Sequence, residues 1–219
     1  MTRHLHRDLD GLKKELLAMG TLVEEATSKA ILALVNRRPE LAEEVRCGDK
    51  LIDIREVEVE EHCLKVLALH QPVAHDLRFI VAVMKVNNDL ERMGDLAVNI
   101  AERAAFLTAH DPIAVPLRIQ ELGEKVRAMV RGSLDALINR DPVLARQICA
   151  DDDEVDAINR DFYTRLQAAM RENPEIIERA INVLSASRHL ERMADSATNI
   201  AEDVIFMVEG EIVRHRLGG

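Results

Sequence analysis

Two stretches of this chain carry carboxylates at a spacing that could hold a cation. Residues 90–102 read LERMGDLAVNIAE and residues 190–202 read LERMADSATNIAE, placing Glu91 four residues before Asp95 and Glu191 four before Asp195. On a helix that spacing stacks both side chains on one face, a turn apart. Glu91 continues a line that begins Val73, Leu77, Ile80, Met84 before meeting Asn87, Glu91 and Gly94. Glu191 follows Ile177, Ala180 and Leu184 in the same way. A carboxylate removed from water without a partner costs several kcal/mol, and two neighbours repel. A cation between them removes both costs.

A second set of acids supplies facing partners. Asp49, Asp53, Glu56 and Glu60 advance by four, three and four residues, and Asp152 and Asp156, with Asp153 beside them, are similarly spaced. Asp49 and Asp53 opposite Glu91 and Asp95, and Asp152 and Asp156 opposite Glu191 and Asp195, would bring several hard oxygens to one point. Such donors suit Mg²⁺, Mn²⁺, iron or Ca²⁺ better than Zn²⁺. Asn99, Glu102, Asn199 and Glu202 lie one and two turns beyond and could extend the sites. A solvated helix face carries acids at the same spacing, and Arg92 and Arg192 stand next door to neutralise them. From these residues alone both readings stay open.

Other reactive side chains point to less. His189 is replaced by Asp89 in the first copy and reads as surface, as do His70 and His75 near a helix junction. There is no Gly-rich phosphate loop, nucleophile elbow or HExxH, and no His has a Glu three residues before it as di-iron bundles require. Neither an enzyme nor an organic cofactor is indicated.

The elements that must position these acids are helices. Leu5, Leu9, Leu12, Leu16, Met19, Val23, Ala26 and Ala30 alternate steps of four and three, one apolar stripe on a long helix. Pro39, Pro72, Pro142 and Pro174 stand where new periodic runs begin, with Asp141 and Asn173 as N-cap candidates, and Pro112 and Pro116 mark a linker. The pattern predicts helices near residues 3–36, 40–69, 73–108, 115–139, 142–171 and 174–214, with Leu217–Gly219 as a frayed end. Short connections make neighbours antiparallel, so the fold class is all-α: two tandem three-helix bundles, at 1–109 and 113–215.

The two bundles are copies. Ten of the thirteen motif positions are identical at a fixed offset of one hundred, while the helices before them align at an offset of 103. The three-residue difference falls in a loop, where length is free to vary. Composition agrees with helices, being 47% hydrophobic but only 2% aromatic, with no Trp. The net charge of −10 disfavours nucleic acid and suits cations or a basic protein partner. Cys47, Cys63 and Cys149 lack CxxC spacing and read as reduced, partly buried thiols. With neither a signal-peptide pattern nor a run of about 20 apolar residues, a cytoplasmic protein is expected.

The doubled Glu-Arg-Met-x-Asp-x-Ala-x-Asn-Ile-Ala-Glu motif, together with Asp49-x-x-x-Asp53, His75-Asp76-Leu77-Arg78 and the duplication itself, resembles the PhoU family of phosphate-signalling accessory proteins. The resemblance covers essentially the whole chain. It implies a two-domain, six-helix homodimer at the cytoplasmic face of the membrane, reaching that membrane through its partners. It further implies a negative regulator of the phosphate regulon that links the ATPase of a phosphate ABC transporter to a phosphate-sensing histidine kinase. Some family members hold multinuclear iron or zinc clusters, which would fall here on Asp49/Asp53, Glu91/Asp95, Asp152/Asp156 and Glu191/Asp195. Two other functions fit the residues: a protein whose metal sites are its main purpose, and a plain helical scaffold.

Overall fold

A computed structural model describes residues 3–210. The expected helical stretch 211–214 and the frayed end Leu217–Gly219 lie outside the described residues. Six helices are formed: α1 Arg3–Asn36, α2 Pro39–His70, α3 Ala74–Thr108, α4 Ile119–Asn139, α5 Pro142–Glu172 and α6 Ile177–Glu209.

Local chemistry sets their ends. Pro39 and Pro142 occupy the first turns of α2 and α5, and the Asp141 carboxylate accepts from Val143 N at 2.9 Å and Leu144 N at 3.0 Å. Asn173 caps a 3-10 turn, Pro174–Ile176, that leads into α6. Arg37, Gln71, Arg140 and Gly210 take left-handed backbone conformations just past helix ends. At the α3 end, the Arg37 guanidinium donates to the Leu107 carbonyl at 2.7 Å.

Three boundaries differ from the pattern, one being α6, which stops at Glu209 before a left-handed Gly210. Pro72 does not enter the first turn of α3, which begins at Ala74 after an extended Val73. Helix α4 begins at Ile119 rather than near 115, and Pro116 keeps the residue before it out of the helical region. Ile113, Val115 and Leu117 instead pack against the core from the linker.

Helices α2, α3, α6 and α5 lie side by side in that order, with α3 on α6 as the most extensive pairing. Helix α1 covers the α2/α3 groove, α4 covers α5/α6, and the two meet above the middle. One continuous aliphatic core fills the space between the layers, including Leu12, Met19, Leu90, Met93, Ile100, Leu166, Leu190 and Ile200. The opposite face of the four-helix layer has no helix over it among the described residues. None of these helices is long and apolar enough to cross a membrane.

Candidate functional site

The open face carries the predicted acids. In the first unit, Asp49 and Glu91 are half-buried between α2 and α3, while Asp53 and Asp95 reach solvent. Burial raises the Glu91 carboxyl pKa, and the charges of Asp95, Glu56, Asp53 and Asp49 raise it further. Burial likewise raises Asp49, which also feels Asp53 and Asp95. The two i, i+4 pairs on facing helices are therefore near enough to feel one another's charge, and so is Glu56. Gly94 allows the close approach: a Cβ there would meet Ile52 at 3.2 Å and the Asp49 carboxylate at 3.5 Å.

The second unit repeats the arrangement between α5 and α6. Asp152 is pushed up to about 6 by burial, then by Asp195, Asp156, Asp153 and Glu191. Burial and neighbouring acids also raise Glu191 and Asp195, and here Arg192 offsets part of the effect on both. No cation acts this way on Asp49 or Glu91. Arg192 thus tempers only the second cluster, and Arg92, expected beside the first, acts on Asp195.

The acids are half-buried rather than enclosed. Among the described residues no group of three or more His, Cys, Asp or Glu side chains stands at metal-ligand spacing. By chemical type alone the donors are those a hard cation takes. They are all oxygen, and one Asp152 carboxylate oxygen is buried without a hydrogen-bond partner.

Of the four outer residues, Asn99 donates to the Asp95 carbonyl of its own helix at 2.9 Å and Glu102 pairs with Arg103 at 3.4 Å. Asn199 turns to Asp89 at 3.4 Å, and Glu202 lies close enough to Cys149 to raise its thiol pKa.

Several expectations change. His189 is half-buried rather than at the surface, and burial, then Arg192, Arg103 and Arg188, lowers its pKa. His70 is half-buried too and pairs with Asp8 at 2.9 Å, whereas His75 is exposed. Cys47 is exposed, while burial pushes the Cys63 thiol up to about 12 and Cys149 up to about 11.

Sequence reasoning missed the contacts that unite the units. Lys85 on α3 meets the buried Asp203 on α6 at 2.9 Å, and Arg103 donates to Asn182 at 3.2 Å. It missed a swapped polar pair as well. Asn87 donates to the Glu56 carbonyl at 2.9 Å, and at the equivalent positions Ser187 donates to Asn159. The signal was the duplication, since Asn87 and Ser187 both interrupt the apolar line.

Fold and site define a class: an all-helical protein of two equivalent units, each presenting an acidic cluster on a shared face. The PhoU domain profile matches residues 16–104 and again 119–204. The phosphate-specific transport system accessory protein PhoU homolog of Aquifex aeolicus (strain VF5) is 42% identical over 212 residues, covering 97% of this chain and 96% of that one. Its counterpart in Serratia marcescens, the accessory protein PhoU, is 35% identical, covering 97% and 87%. The crystal structure of PhoU from Pseudomonas aeruginosa superposes with a TM-score of 0.91 at 37% identity, covering 94% of this chain and 99% of that one. The phosphate transport system regulatory protein PhoU from Streptococcus pneumoniae gives a TM-score of 0.85 at 29% identity, covering 95% and 99%. The chain belongs to the PhoU family, a family of accessory and regulatory proteins rather than enzymes.

Proposed function

We propose that this chain is a negative regulator of phosphate uptake and of the phosphate regulon. It works in the cytoplasm as a homodimeric adaptor between the ATPase of a phosphate ABC transporter and a phosphate-sensing histidine kinase. The observation that carries this reading is the end-to-end likeness, both units included, to proteins named for phosphate-specific transport. The physics is consistent with it: a rigid helical body with net charge −10 is steered toward basic surfaces on partners.

Within this reading Asp49, Asp53, Glu91 and Asp95 hold one metal centre, and Asp152, Asp156, Glu191 and Asp195 hold a second. The oxygen donors favour iron, Mg²⁺ or Mn²⁺ over Zn²⁺. A bound cation would neutralise the repelling carboxylates and tie α2 to α3 and α5 to α6, supplying rigidity rather than reactivity.

The test is a chromosomal Glu91→Ala/Asp95→Ala replacement compared with a deletion of the gene. Deletion should derepress phosphate-starvation genes in phosphate-rich medium. The double variant should lose metal by elemental analysis and repress more weakly. Unchanged expression in the deletion strain would sink the regulatory role. Full repression by a variant that has lost its metal would separate metal from signalling.

A further inference from the structure

The groove between α5 and α6 has a volume of about 920 Å³, within the range of small-molecule sites. Its α6 wall changes character in order: Ile181 and Leu184 first, then Arg188, then Arg192 beside Glu191, and last Asp195. Residues 181–195 span about 21 Å of helix. The α5 wall matches this order. Ser187 donates to Asn159 across the groove, so Arg160 falls at the level of Arg188. Tyr163, a turn further along the antiparallel α5, falls at the apolar end. Tyr163 is 59% and Ile181 55% exposed, leaving that end open.

The arginines are not consumed by the fold. The Arg160 side chain is 71% exposed and 3.5 Å from Asp156, while Arg188 and Arg192 form no ion pair among the described residues. The field they create is felt nearby, since after burial Arg192, Arg103 and Arg188 lower the pKa of His189 against the pull of Glu102. The duplication shows that this wall is not needed for the unit's fold. Where the second unit has Arg160, Tyr163, Thr164 and Arg188, the first has Val57, Glu60, Glu61 and Asn88. Both acids recur as Glu91 and Asp95, so the aromatic ring and two of the arginines are what the second unit adds.

The acidic end is also incomplete by itself. No three acids among the described residues stand at metal-ligand spacing. Mg²⁺ is commonly held in that way, by one or two carboxylates together with the phosphates of its ligand.

We propose that the α5/α6 groove binds a nucleoside triphosphate together with Mg²⁺. The base would lie against Tyr163, Ile181 and Leu184, the phosphates would meet Arg160, Arg188 and Arg192, and Mg²⁺ would join the phosphates to Glu191 and Asp195. Each kind of group along the wall then has a counterpart in the ligand, in the right order. The proposal rests on the second metal centre above in one respect, a divalent cation at Glu191 and Asp195, and draws that cation's remaining ligands from the nucleotide. Without the cation these acids repel the phosphates, so Mg²⁺ and nucleotide should each strengthen the other's binding.

Isothermal titration of the full chain with ATP, with Mg²⁺ or with chelator, tests this. The wild type should bind ATP saturably with Mg²⁺ and at least about tenfold more weakly without it. R160Q/R188Q should cause a loss of similar size, with far-UV circular dichroism unchanged because both side chains are exposed. Tripolyphosphate, which lacks the base, should also bind at least about tenfold more weakly. Tyr163 is the only tyrosine, so isotope-labelled tyrosine gives a single NMR reporter whose ring signals should shift with Mg²⁺ and ATP. No saturable binding at about 1 mM ATP, a tyrosine signal that does not move, or tripolyphosphate binding as tightly as ATP overturns the proposal. Mg²⁺ or Mn²⁺ that still binds alone in any of those cases leaves the metal-centre reading standing. Mg²⁺ that binds only in the presence of ATP supports the proposal and removes the second cluster as an independent metal centre.

Discussion

Asp152 is raised to about 6 because burial and four neighbouring acids disfavour its charge. In the unfolded chain the same group titrates near 3.8. Between those values the native state holds a proton that the unfolded state has lost, so the group's contribution to stability falls as pH rises through the window. Chelator-treated protein should accordingly be harder to unfold with urea at about pH 5 than at about pH 7.5. Asp152→Asn should flatten that dependence and add on the order of 1 kcal/mol at neutral pH, after allowance for screening by water. Mn²⁺ or Mg²⁺ at neutral pH should stabilise the wild type more than this variant. An identical metal response in both would remove Asp152 from the site. Asp49, Glu56, Glu91, Glu191 and Asp195 are shifted in the same direction, so the pH effect should be shared between the units.

The elements respond to different changes. Gln71 ends α2 with φ 46°, a left-handed conformation that costs a side-chain residue more than glycine. Gln71→Gly should raise the unfolding free energy by about 0.5–1 kcal/mol in denaturant melts. Asp141→Ala removes both side-chain bonds to the start of α5 and should lower it by about 1 kcal/mol. Gly94 tests how closely α2 and α3 approach. The second unit tolerates Ala194 in the same place, fully buried. Gly94→Ala presses a flexible Ile52 side chain while gaining helix propensity, so the two effects should leave stability within about 1 kcal/mol of wild type. Gly94→Val has no such relief. It should separate the helices and impair metal binding at the first cluster while sparing the second, as isothermal titration on each unit's acid-to-alanine background would show.

At the scale of the molecule, the α3–α6 contact makes one body of two units. Asp203 is buried on α6, with Lys85 of the other unit at 2.9 Å and the same ammonium 5.3 Å from the Phe206 ring centroid. Lys85→Met should cost on the order of 2 kcal/mol, because Asp203 loses a charge partner where water cannot replace it. A urea-melt difference below about 0.5 kcal/mol would show that packing of the Lys85 stem, which Met preserves, rather than charge, is what matters at this contact.

Much of this was legible in order. Helical periodicity located all six helices because a core of aliphatic side chains repeats every three or four residues whatever surrounds it. Prolines and the caps Asp141 and Asn173 fixed most starts, since their effect on the backbone is local. The start of α4 was misplaced, as the apolar residues of the linker pack against the core without being helical. His189 was assigned to the surface because its counterpart is Asp89, yet Asp89 is itself buried, since α3 and α6 cover each other.

The duplicated motif by itself determined that there are two equivalent units and that each carries acids on one face, because helical spacing alone puts residues i and i+4 side by side. Tertiary structure decided which acids act on one another. Glu56 joins the first cluster, Asp152 is the most strongly perturbed of the second, and Arg192 tempers one cluster but not the other. It also decided that arginines share the face with the second cluster, where Arg160, Arg188 and Arg192 line the same groove as Glu191 and Asp195. Burial, and the sum of charges acting across a gap between helices, depend on distances that no spacing along the chain encodes.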